Sequence, residues 1–154
     1  EAFVDKSKMS LFGASQGGVV ASLYAAAYPD RVHKLMLIFP AFVLFDDVQE
    51  TYRQLGSPDL NQLPDSLTHR NATLGKIYLI DALNIDIQAE QTKITAPTLI
   101  IHGTDDAVVP YQYAVEASQT IPNAELVTVE GGEHRIDEKF AITAAPAIQK
   151  FLKE

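Results

Sequence analysis

The chain has 154 residues, 47% of them hydrophobic, which is the size and composition of one ordinary domain with enough apolar surface to build a core. Twelve basic residues stand against 20 acidic ones, a net charge of -8, and no basic stripe follows a phosphate backbone, so nucleic acid is excluded as a partner class. Cysteine is absent, which rules out disulfides and thiolate metal sites and fits a reducing, cytoplasmic compartment. The longest apolar run, KLMLIFPAFVLF, is broken by Pro40 before it reaches membrane-spanning length, so no membrane span is expected.

The opening EAFVDKSKMS has no initiator methionine, no cationic n-region and no apolar h-region, and the expectation is that a further segment precedes it. Residues 8 to 13, KMSLFG, read as a strand ending in glycine, and residues 16 to 28 carry helix formers until Pro29 stops them. Residues 33 to 41 are continuously apolar, as befits a strand covered on both faces of a parallel sheet. Residues 42 to 93 have mixed composition, with Gly56, Pro58 and Pro64 as breakers and helical fragments DDVQETYRQL and LGKIYLIDAL; the stretch is too long for a connection and is expected to be an inserted lid. APTLIIHG at 96 to 103 and AELVTVEGG at 124 to 132 are two more strands. Between them Pro110 opens a helix with small or apolar residues at 111, 114, 115 and 118. The final TAAPAIQKFLKE is expected to be helical, capped by Thr143 with Pro146 in the first turn. Alternating strands and helices predict an α/β domain with a mainly parallel sheet, residues 1–41 and 94–154 forming the core.

SLFGASQGGVV places a serine at the corner between the first strand and the first helix. A serine hydroxyl is a poor nucleophile until a base takes its proton, and it must stand clear of the backbone to meet a carbonyl carbon. A sharp strand-to-helix turn exposes it. Gly13 and Gly17, two before and two after Ser15, are the expected nearly side-chain-free positions of a G-x-S-x-G corner. The following helix aims its amino end at the same place, so the Gln16 N–H is the expected oxyanion donor. A phosphate loop would need Lys and then Ser or Thr after the last glycine, where Val19 and Val20 stand.

Of four histidines, His33 opens a strand, His69 lies in the insertion, and His102 ends a strand and is expected to shape the loop after it. His134, after EGGE at the carboxyl end of the last strand, lies where parallel sheets keep their active sites. The carboxylate that would orient its ring comes from HGTDDAVVP, which offers Asp105 and Asp106.

Together GASQGG, HGTDDAVVP and GGEH resemble the nucleophile elbow, acid loop and histidine loop of the α/β-hydrolase fold, across the whole chain. In that fold H-G-x-x-D-x-x-V-P puts the acid at Asp106, and the triad runs Ser15, Asp106, His134 in chain order. More narrowly the chain is similar to bacterial cinnamoyl or feruloyl esterases, whose lid follows the sixth strand. That resemblance implies that Asp47 and Tyr78 hydrogen-bond the ring hydroxyls of the substrate, with Gln54 beside them, and that no metal or cofactor is needed. The chain departs from it in two ways. Ala14 stands where relatives often carry histidine, and the resemblance leaves strands one to four, with the loop giving the second oxyanion N–H, outside this sequence. A single donor implies turnover lower by about 10²–10³. It also implies a strand edge near residues 8 to 13 that a separate N-terminal half or a second copy would cover. The substrate expected is a small hydroxycinnamate ester; short-chain acyl or monoacylglycerol esters, prolyl peptides and a non-catalytic interaction module are the alternatives.

Overall fold

Apolar segments too short to bury themselves pair into one sheet in the computed structural model, which describes residues 9–69 and 72–153. The reading of the chain's opening therefore falls mostly outside the described residues. Strands β1 (Ser10–Ala14), β2 (Lys34–Ile38), β5 (Thr98–Gly103) and β6 (Ala124–Val129) lie side by side in the order β1-β2-β5-β6, and every pair is parallel. β5 is buried at every position, because it lies between β2 and β6 with both faces covered. Helices α1 (Gln16–Ala27), α5 (Gln112–Thr120) and α6 (Glu138–Lys153) alternate with these strands, and a single turn, α4 (Ile87–Gln91), precedes β5. One side of the core is a cluster of Ile38, Phe39, Leu99, Ile101, Val129, Phe140, Ala144 and Phe151.

The last helix begins earlier than its sequence suggests. Asp137 accepts the Phe140 N–H at 2.9 Å, so it caps the helix in place of Thr143, and Pro146 falls inside α6 rather than in its first turn. A proline N–H is not there to bond the Ile142 carbonyl one turn back, normally enough to end a helix. Here Phe140, Ala144 and Phe151, all buried in the core cluster, hold one helical face through the defect. The far end is held too. Buried Lys34 reaches from β2 to donate to the Phe151 carbonyl at 2.6 Å, placing a cation at the helix carboxyl end.

The described residues form two compact units, one running up to Phe42 and resuming at Gln88, the other Val43–Ile87. The second contains α2 (Leu44–Gln54), an antiparallel pair β3 (Ser66–His69) and β4 (Ala72–Gly75), and α3 (Lys76–Leu83), with Phe45, Val48, Leu63, Leu79 and Ala82 buried. The insertion expected over 42 to 93 compares with a unit that starts one residue later and ends six residues earlier, with all of α4 but Ile87 falling in the first unit. The β3–β4 pair was not visible in the sequence, where SLTH and ATLG carry too few β-branched or aromatic residues to signal strands.

Candidate active site

Ser15 occupies the corner between β1 and α1 with φ 52° and ψ -123°, a backbone conformation that side-chain-bearing residues rarely adopt. Neighbours fix it. The Ser15 N–H donates to the Ile38 carbonyl, and the Ser15 carbonyl accepts from the N–H groups of Gly18 and Ala41, each at 3.0 Å. A Cβ at Gly13 would run into the Gly17 carbonyl, so the first glycine is required by close approach. The second is not. A Cβ at Gly17 meets nothing within 4 Å, whereas one at Gly18 would lie 2.8 Å from the Pro40 Cβ. The expectation for Gly17 is therefore corrected: its carbonyl makes the tight contact, and Gly18 is the glycine that lets α1 pass close to the chain after β2. Gln16, exposed, is the first residue of α1, beside the serine at the helix amino end.

The carboxyl ends of β5 and β6 supply the other two groups. Asp106 is buried, and its Oδ1 accepts the N–H groups of Val108 (2.9 Å) and Val109 (2.8 Å). Its Oδ2 lies 2.7 Å from His134 Nδ1, and His134 Nε2 lies 3.0 Å from the Ser15 Oγ. A carboxylate only accepts, so the ring proton is on Nδ1, and Nε2 offers its lone pair to the serine hydroxyl. Asp105 is exposed and bonds locally to Thr104, so the buried partner is Asp106.

Two loops must meet for this to happen. A Cβ on Gly103 would collide with the Gly132 carbonyl, and the Asp105 N–H donates to that same carbonyl at 2.9 Å. The Gly131 N–H donates to the Thr104 Oγ1 at 2.8 Å. The acid loop and the histidine loop are thus one hydrogen-bonded block. Phe39, also at positive φ (34°), lays its ring 4.4 Å from the His134 ring and 5.6 Å from Phe140, walling the imidazole on one side.

His102 is the participant that sequence reasoning understated. It is fully buried on β5, and its Nε2 is 2.9 Å from the Val109 carbonyl and 3.2 Å from the Asp106 Oδ2. Its position four residues before the acid, at the end of a strand, was the available signal. His33 is exposed; His69 belongs to β3. In the other unit, Asp47 lies on α2 and Tyr78 on α3, both half-buried, while exposed Gln54 donates to the Glu50 carboxylate at 3.0 Å. Burial, and second the Asp47 charge, push the Tyr78 phenol above its ordinary value, so those two side chains are electrostatic neighbours. Among the described residues no helix is long and apolar enough to cross a membrane, and no three His, Cys, Asp or Glu side chains are grouped to hold a metal ion.

The solved structure of Est1E from Butyrivibrio proteoclasticus superposes with a TM-score of 0.81 at 31% identity, over 94% of this chain and 60% of that one. The chain has the α/β-hydrolase fold. Est1E with ferulic acid bound matches at TM-score 0.78 and 28% identity, over 94% and 58% of the two chains. A family profile described as TAP-like protein matches residues 83–154. Among curated relatives, the AB hydrolase superfamily protein YisY of Bacillus subtilis is 29% identical over 80% of this chain and 59% of its own length. The serine hydrolase BPHL of Mus musculus is 25% identical over 95% and 55%. The chain spans less than two thirds of the length of each of these relatives, so its parallel sheet covers part of the α/β-hydrolase sheet.

Proposed function

We propose that the chain carries the catalytic triad of a serine carboxylesterase acting on hydroxycinnamate esters. The observation that supports this most strongly is the position of His134, with one ring nitrogen on the Asp106 carboxylate and the other on the Ser15 hydroxyl. In this reading Ser15 Oγ attacks the ester carbonyl as its proton passes to His134 Nε2. The Gln16 N–H, at the positive end of α1, receives the oxyanion. His134 then protonates the departing alcohol, leaving an acyl-serine. A water loses its proton to the same nitrogen and adds to the acyl carbon, the bond to Ser15 Oγ breaks as His134 returns the proton to that oxygen and the acid leaves, and Asp106 stabilises the imidazolium in both halves.

The aromatic acid is the finer part of the proposal, supported by the likeness to Est1E, one of whose structures has ferulic acid bound. Residues 42–93 are read as the lid, with Asp47, Tyr78 and Gln54 assigned to the ring hydroxyls. β1 stands at one edge of the described sheet with Phe12 57% exposed, and a partner strand from a separate N-terminal half or a second copy is proposed to cover it.

A fluorophosphonate probe is expected to label the chain at Ser15 and to leave Ser15→Ala unlabelled. Ethyl ferulate should be turned over faster than a short-chain nitrophenyl ester or a prolyl amide. A folded sample that takes up no probe favours an interaction module, and preference for the amide overturns the esterase reading.

A further inference from the structure

We propose that His102 is a positioning residue for the triad, an uncharged imidazole whose Nε2–H fixes the second oxygen of Asp106 so that it faces His134. The inference rests on the esterase reading for its catalytic consequence, and on geometry alone for the contact itself.

The Val109 carbonyl can only accept, so at 2.9 Å from Nε2 it requires the proton to be on that nitrogen. The same nitrogen lies 3.2 Å from the Asp106 Oδ2, a close polar contact beside that hydrogen bond. The carboxylate then takes three hydrogen-bond donors, the backbone N–H groups of Val108 and Val109 on Oδ1 and His134 on Oδ2, with the His102 Nε2 a further polar contact beside Oδ2. Two donors on Oδ1 hold one oxygen but leave the group free to turn about it. His134 alone would turn with it, and a second imidazole beside Oδ2, anchored on the Val109 carbonyl, opposes that turn. That imidazole comes from a residue with no exposed surface, on the strand buried along its whole length.

The other ring nitrogen explains why the side chain stays neutral. His102 Nδ1 is buried and has no hydrogen-bond partner, so a second proton there would be an unsatisfied donor on a buried cation. Burial holds the imidazole below its ordinary pKa, against the Val109 carbonyl and the Asp106 charge, which pull upward. The titratable groups set against it are Asp106, His134 and Tyr111, whose ring meets it edge-on at 6.0 Å. Its register partner on β6 is the uncharged Thr128. A charged His102 would hold Asp106 as an ion pair and draw its charge from His134. A neutral one steers the carboxylate and leaves the charge available.

Imidazole ¹⁵N spectra of the wild-type protein are expected to show His102 as the neutral Nε2–H tautomer at neutral pH, with its protonation displaced below the ordinary imidazole range. His102→Phe, which removes the donor, should shift the downfield proton of the His134–Asp106 hydrogen bond and lower kcat about ten- to a hundredfold with KM nearly unchanged. His102→Gln returns an N–H to the position of Nε2 and should recover most of both readouts. A cationic or Nδ1–H His102, or a Gln variant no better than Phe at equal folding, overturns the proposal. So does a folded Phe variant with the proton and kcat unmoved. If His102→Phe does not fold, the wild-type tautomer and the Gln variant still decide. Absence of Ser15 labelling with the tautomer and the proton shift as stated defeats the esterase reading and leaves this one standing.

Discussion

Ser15 is held at φ 52° by three backbone hydrogen bonds, and a conformation of that kind costs on the order of 1–3 kcal/mol in a residue with a Cβ. Alanine keeps the strain and glycine removes it. Ser15→Gly is therefore expected to unfold at higher denaturant than Ser15→Ala, by about 1 kcal/mol, with both inert to fluorophosphonate. His102 bears on stability as well as on chemistry. Its folded pKa is depressed mainly by burial, so between that value and the ordinary one near 6.5 the unfolded chain binds a proton that the folded chain refuses. Its contribution is complete above about pH 6.5 and is lost as pH falls toward the folded value. Melting temperature should accordingly fall less steeply between about pH 7 and 5 in His102→Gln than in the wild type. An equal slope in the two proteins would mean that the imidazole does not stay neutral in the fold.

Among the elements, the β1–α1 corner separates two glycines that look alike in the sequence. Gly13→Ala drives a methyl into the Gly17 carbonyl and should destabilise by about 1–3 kcal/mol, with loss of Ser15 labelling. Gly17→Ala, with open space around its Cβ and a place in the first turn of α1, should leave stability level or raise it by about 0.5–1 kcal/mol. Equal losses in the two denaturation curves would refute that distinction. In α6 the apolar face carries the helix through Pro146, at the cost of one backbone hydrogen bond. Pro146→Ala restores the donor to the Ile142 carbonyl at an exposed position and should stabilise by about 1–3 kcal/mol in urea melts. The sequence marked this proline as a helix start because a local rule prefers it in a first turn. Burial of Phe140 and Phe151 outweighed that preference, and no window of neighbouring residues reveals it.

Across the molecule, protection follows the sheet. β2 and β5 lie inside the four-stranded order, with Leu35, Leu37, Ile100 and Ile101 almost fully buried, whereas Val43–Ile87 has a small core of its own. Native-state hydrogen exchange should release the amides of 43–87 well before those of β2 and β5, and simultaneous release would mean that the two units unfold as one. The amino-acid order alone determined the strand–helix alternation, the serine corner and the choice of carboxylate and imidazole loops, because periodicity, turn residues and short motifs act over a few neighbours. The family resemblance pointed to Asp106 of the two aspartates, but the order left open that Gly18 rather than Gly17 makes room, and that a second imidazole reaches the carboxylate. Tertiary structure decided those, since each depends on atoms brought together from β2, β5 and β6, dozens of residues apart along the chain, and burial and hydrogen-bond satisfaction are settled only where such segments meet.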